Sequence, residues 1–111
     1  MGLTKTELFT QEQNQLAQIA KTIAHPARIA ILQYLIKAQS CINTNLVQEI
    51  GLAQPTISQH LRELKDAGII KGTVEGASMS YCIDPDRWIE IQSLFEKFFQ
   101  NIPRNNQNNC C

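Results

Sequence analysis

The chain lacks any run of about 18 apolar residues, the length a membrane-spanning helix needs, so no segment is expected to cross a bilayer. It also lacks net charge, since ten Lys and Arg balance ten Asp and Glu. Neutralising phosphates dominates nucleic-acid affinity, so any such binding is expected to be modest and salt-sensitive. No C-x-x-C spacing occurs among Cys41, Cys82, Cys110 and Cys111, which removes local support for a tetrahedral zinc site. The first residues, 1–7, lack the basic-then-apolar layout of a secretory signal, and Gly2 with Thr6 makes only a loose myristoylation pattern. A cytoplasmic location is expected, where a reducing environment argues against a disulfide framework. There is no glycine-rich phosphate loop, no carboxylate spaced to partner either histidine, and no base beside any cysteine, which argues against an enzyme. No internal repeat is visible. What is present is 111 residues, 43% of them hydrophobic, enough for one small core.

Hydrophobic spacing divides the chain into elements. Thr10 followed by Gln13 has capping-box spacing and opens a helix to about residue 23, with Leu16, Ile19, Ala20 and Ile23 on one side. His25-Pro26 reads as N-cap and first-turn proline of a second helix. Its Ile29, Ile31, Leu32, Leu35 and Ile36 cover much of the circumference, as expected for burial on more than one side. A short helix follows, capped by Asn43 or Thr44 and ended by Gly51, with Leu46, Val47 and Ile50 inward. Another opens at Gln54-Pro55-Thr56, runs to Ala67 and stops at Gly68. Short helix, glycine-containing turn and second helix form the pattern of a helix-turn-helix. The runs 69–74 and 79–83, separated by Glu75-Gly76-Ala77-Ser78, read as a β-hairpin. Asp84-Pro85 starts a last helix carrying Trp88, Ile91, Leu94, Phe95 and Phe98, extended by Phe99 and Ile102. The expected architecture is mainly α with a small hairpin: a winged helix-turn-helix of about five helices, as one domain over 1–102, with a polar, disordered tail over 103–111.

On the helix from Gln54, Ile57, Leu61 and Leu64 fall at i, i+4 and i+7 and must face the core. At about 100° per residue, the opposite face carries Thr56, Gln59, Arg62 and Glu63, with Ser58 on the flank. Glutamine can read adenine in bidentate fashion, and Ser or Thr can donate or accept; the same residues would also suit an ordinary solvated face. Lys71, Gly76 and Ser78 place donors near the hairpin, which could reach a minor groove or the backbone. Basic residues barely exceed acidic ones over 54–72, where Arg62, Lys65 and Lys71 stand against Glu63 and Asp66.

Three stretches carry a resemblance: residues 23–32 (Ile-Ala-His-Pro-Ala-Arg-Ile-Ala-Ile-Leu), residues 52–64 (Leu-Ala-Gln-Pro-Thr-Ile-Ser-Gln-His-Leu-Arg-Glu-Leu) and residues 67–70 (Ala-Gly-Ile-Ile). Together they resemble the arsenic-repressor (ArsR) family of bacterial winged-helix regulators over somewhat more than half the chain. The resemblance implies a sequence-specific regulator of double-stranded DNA, and a homodimeric repressor, whose recognition helix would meet DNA through Gln54, Thr56, Ser58, Gln59, His60 and Arg62. Ala53 departs from the family's usual serine, an N-cap worth about 1 kcal/mol.

The last helix is too apolar to be satisfied on one side of so small a domain. A homodimer seam is expected through Leu8, Phe9, Leu16, Ile19, Ile91, Leu94, Phe95 and Phe98, and the resemblance implies the same terminal-helix arrangement. Two-fold symmetry would set two recognition helices about 34 Å apart on a palindromic operator. Sensors of this family release DNA on binding a metal or metalloid. Its paired cysteines are reduced here to Cys41, and its histidine-containing site on the last helix has no histidine. Cys41 with Cys110 and Cys111 could offer three thiolates to a thiophilic ion, or the thiols could respond to oxidation; Cys82 reads as a small buried hydrophobe. A winged-helix module that binds protein, with no inducer site, is the alternative that the neutral charge favours.

Overall fold

The computed structural model describes residues 7–38, 41, 46–75, 78–100 and 102. Within them the order is α1 (Gln11–Ile23), α2 (Pro26–Ala38), α3 (Leu46–Ile50), α4 (Gln54–Asp66), β1 (Ile70–Glu75), β2 (Ser78–Ile83) and α5 (Pro85–Phe99). This is the winged helix-turn-helix that the sequence predicts. No helix of the described residues is long and apolar enough to cross a membrane.

Local chemistry sets the helix ends. Thr10 caps α1 reciprocally: its Oγ1 accepts from the Gln13 N–H at 3.1 Å, and its own N–H donates to Gln13 Oε1 at 2.9 Å. Asp84 caps α5 by accepting from the Arg87 N–H, and prolines occupy the first turns of α4 and α5, where a missing N–H costs nothing. Ala53 stands at the N-cap of α4 with no side-chain bond. The end of α4 is a Schellman turn. Gly68 N–H donates to the Lys65 carbonyl and Ile69 N–H to that of Leu64, while Gly68 takes φ +77°, which a side chain rarely tolerates. Leu64 and Ile69 are both fully buried, so the turn aims the chain straight from the core into β1.

The core joins α2 (Ile31, Leu32, Leu35), α3 (Leu46), α4 (Ile57, Leu61, Leu64), the start of the hairpin (Ile69, Ile70), α1 (Ile19) and α5 (Ile91). Two expectations change here. Ile19 (2% exposed) and Ile91 (8% exposed) pack inside the protomer, so neither is left free for a dimer seam. Their spacing marks an apolar stripe but cannot divide it between two partners. Ile29 and Ile36 of α2 are exposed, and the buried polar residue of that helix is instead Arg28.

The strands pair antiparallel from Ile70↔Ile83 to Glu75↔Ser78, so the first begins and ends one residue later than the sequence suggests, the second begins one earlier, and only 76 and 77 connect them. Gly76, the helix-capping candidates Asn43 and Thr44, and the tail 103–111 lie outside the described residues.

Candidate nucleic-acid interface

The helix-turn-helix brings α4 to the surface with its long axis free on one side. Ile57, Leu61 and Leu64 anchor it, and Gln54, Thr56, Ser58, Gln59 and Arg62 are exposed, as the helical spacing predicts. Within the helix, Gln54 Nε2 donates to Ser58 Oγ at 2.9 Å and Gln59 Nε2 donates to Glu63 Oε1 at 3.1 Å. Each bond uses one amide hydrogen. The second N–H and the carbonyl oxygen of each glutamine stay available, and these are the donor and acceptor that a bidentate adenine contact requires. The bonds also restrict the side chains before any partner arrives, lowering the entropy cost of contact. Glu63 is the acid on this face and opposes phosphate approach.

His60 differs from its neighbours. It is half-buried, its Nδ1 accepts from Arg28 Nε at 2.9 Å, and its ring centroid lies 5.9 Å from that of His25. Burial, followed by the charges of Arg28 and His25, holds its pKa below the ordinary histidine value. At neutral pH it therefore offers no positive charge to a phosphate. The helical angle puts His60 on the flank of α4, where a satisfied, partly buried ring suits as well as a DNA contact, and the structure turns one ring nitrogen inward to α2.

In the wing, Lys71 is exposed on β1 and Ser78 opens β2. Lys71 stands opposite Cys82 in the register. Cys82 is joined to Cys41 by a disulfide, with Cα atoms 4.3 Å apart. This corrects two expectations: the cysteines are not all unpaired, and Cys82 is not simply a small buried hydrophobe. The pairing was hidden because it depends on β2 lying beside the segment that leads into α3, across 41 residues of sequence. Among the described residues no three His, Cys, Asp or Glu side chains cluster as a metal site. The other two thiolates expected beside Cys41, those of Cys110 and Cys111, lie outside them. The described residues therefore do not assemble a thiolate site around Cys41, whose sulfur is already committed to Cys82.

Between them, α1 and α5 leave an apolar surface. A groove of ≈ 760 Å³ runs between them, lined by Leu16, Ala17, Ala20, Phe95 and Phe98 with polar residues of the first turn of α1. Leu8, Phe9, Ile89, Phe98, Phe99 and Ile102 are exposed, Phe98 on the groove itself. Phe99 packs edge-on against Phe98 and stacks with Phe95 at 6.1 Å, and Lys97 Nζ bridges to Glu12 Oε2 at 3.2 Å. Leu94 and Phe95 are half-buried against the core, which leaves the outer ring of this face uncovered in one protomer.

Comparison with known proteins agrees with this arrangement. Residues 25–71 match the family model for bacterial regulatory proteins of the arsR family. An HTH-type transcriptional regulator of Methanocaldococcus jannaschii is 37% identical over 87 residues, covering 78% of this chain and 98% of the relative. The transcriptional repressor PagR of Bacillus anthracis is 34% identical over 80 residues, 72% of this chain and 78% of its own. In fold, the chain is similar to the homodimeric winged helix-turn-helix DNA-binding domain of a Mycobacterium bovis protein, with TM-score 0.63, 22% identity and coverage of 93% and 94%. The reading helix, the wing, the matched segment and the near full-length relative lead to one conclusion: this chain belongs to the ArsR family of helix-turn-helix transcriptional regulators.

Proposed function

We propose that the protein is a homodimeric repressor that reads double-stranded DNA in the cytoplasm through α4, with Gln54, Thr56, Ser58, Gln59 and Arg62 at the base edges and phosphates and Lys71, Gly76 and Ser78 serving the wing. The observation that carries this reading is the exposed polar face of α4, held rigidly by three buried side chains on its reverse. Because that face carries little charge, sequence preference rests on amide and hydroxyl contacts, and affinity rests on joining two such faces. The uncovered α1–α5 surface supplies the seam, through Leu8, Phe9, Leu16, Leu94, Phe95 and Phe98. The same fold is homodimeric in the Mycobacterium bovis protein.

Selection of bound sequences from random duplex DNA tests this. The expected product is a palindrome with half-site centres about 10 base pairs apart. Gln59→Ala should weaken binding to the selected duplex by about tenfold or more, the worth of one good bidentate contact, while binding to unrelated duplex stays the same. Failure to enrich any sequence, together with salt-independent retention on DNA, would favour the protein-binding module instead.

The Cys41–Cys82 pair favours one input over the thiophilic ion. In a reducing compartment a cysteine pair within bonding reach forms its disulfide only under oxidation. The two thiols lose two protons and two electrons as the S–S bond forms, and a small-molecule disulfide oxidant takes up both as two thiols. The bond ties the lead-in to α3 to the wing strand, which restrains the wing from adjusting to DNA. Treating the reduced protein with oxidised glutathione is expected to lower affinity for the selected duplex by about fivefold, the small end of allosteric coupling. Cys82→Ser should abolish the difference; an unchanged response in that variant would remove the pair from the regulation.

A further inference from the structure

Arg28 is a cation that is only 9% exposed, placed in the first turn of α2 where the DNA-reading role of α4 does not use it. Such a group persists in a small core only when its donors are matched. Its Nη1 donates to the carbonyl of Thr22 at 2.8 Å, and its Nε donates to His60 Nδ1 at 2.9 Å. The Thr22 carbonyl belongs to the last turn of α1, whose carbonyls lack helical partners. The residue four positions on is Pro26, which has no N–H to offer. Arg28 therefore supplies the missing donor at the negative end of the α1 dipole and, with the same guanidinium, holds a side chain of α4.

From this geometry we infer that Arg28 is the positioning residue that couples α1 to the reading helix, acting through His60 held as the neutral Nε2–H tautomer. The inference rests on the reading of α4 as the DNA-contacting helix and α1 as part of the dimer seam. A guanidinium always donates, so His60 Nδ1 must be the acceptor and the ring proton must sit on Nε2. Protonating Nδ1 removes the acceptor and sets an imidazolium against the guanidinium. The joint then opens and α4 loses one of its fixed points of rotation.

Arg28 faces His60 from α2 and His25 from the residue before α2. On α4 itself Glu63 lies one turn on, bonded to Gln59. Lys21, in the last turn of α1, is exposed. Both groups facing the ring are basic, so the surroundings oppose its protonation, in agreement with the lowered His60 pKa. For a histidine whose folded pKa is depressed, the stabilisation is complete above the ordinary histidine value and is lost as pH falls through the lowered one. Ordered positioning of α4 should follow that window.

The test has one arm that needs no DNA. Long-range 1H–15N correlation spectra of the full chain report which ring nitrogen of His60 carries the proton. The expected result is the Nε2–H tautomer at neutral pH, titrating below the ordinary histidine value and moving up in Arg28→Leu. The second arm measures affinity for the duplex recovered by selection. Arg28→Leu and His60→Leu are each expected to lose about tenfold, the scale of a charge-assisted bond left unmade. His60→Asn puts an amide oxygen where Nδ1 lies. It should retain more affinity than His60→Leu, and lose the fall in affinity that wild type shows on the acid side. Should Arg28→Leu not fold, the wild-type tautomer and the His60→Asn pH profile decide. A Nδ1–H tautomer in wild type overturns the inference, as does an acid-side fall that His60→Asn leaves intact. If no duplex is ever bound, the DNA reading fails while the tautomer arm still reports on the joint.

Discussion

Phe98→Glu is expected to convert the protein to a monomer and to reduce affinity for its selected duplex by about a hundredfold or more, the scale of avidity lost when two linked sites become independent. Phe98 is 56% exposed in the protomer and packs against the neighbouring Phe99 ring, so the fold should survive. In a dimer the introduced carboxylate would be driven into an apolar seam without a partner, which is costly. The effect on DNA is large because each α4 carries few charges. One reading face alone cannot collect enough phosphate contacts, and a chain of zero net charge gains no general attraction to compensate. Light scattering after size exclusion reads the assembly, circular dichroism reads the fold, and titration with labelled duplex reads the affinity. A variant that stays dimeric with full affinity would move the seam away from α5.

Leu64→Ala is expected to destabilise the protein by ~2–5 kcal/mol, the usual range for truncating a fully buried leucine, against ~5–15 kcal/mol of total stability for a small domain. Leu64 is 0% exposed and does two jobs. It anchors the reverse side of the reading helix, and it sits one turn before the Gly68 turn, its carbonyl accepting the Ile69 N–H. A cavity there loosens α4 and the first residue of the wing strand together. Urea unfolding should show a lower midpoint with an unchanged slope. A loss below ~1 kcal/mol, less than surveyed core truncations give, would mean that the site collapses and is not the rigid base on which α4 depends.

Phe98 acts on how two reading faces are joined, Leu64 on how one face is held, and Gln59 on what that face contacts. Arg28 lies where the first two meet. A dimer whose α1 helices shift relative to one another would pull on the Thr22 carbonyl, and through Arg28 on His60.

Much of the architecture was legible because it is local. Capping by Thr10 and Asp84, the first-turn prolines, the positive-φ Gly68 and the i, i+4, i+7 spacing of Ile57, Leu61 and Leu64 each depend on a few neighbouring residues. The outer face of α4 follows from the same periodicity once its inner face is known. The hairpin was visible as two β-prone runs, although its ends were not, since pairing from Ile70↔Ile83 to Glu75↔Ser78 is a property of both strands at once.

Three features needed the tertiary structure. The apolar stripe on α1 and α5 is continuous in sequence, and only packing assigns Ile19 and Ile91 inward while leaving Leu8, Phe9 and Phe98 outward, because burial depends on what stands opposite. The role of Arg28 emerges only when the prolyl gap at Thr22 and the ring of His60 stand on either side of it. Cys41 and Cys82 are unrelated by any local spacing; the fold brings the lead-in of α3 beside β2 and so turns two thiols into a pair. Short-range steric and hydrogen-bond preferences wrote the winged helix into the sequence, whereas these long-range meetings exist only after the chain has closed on itself.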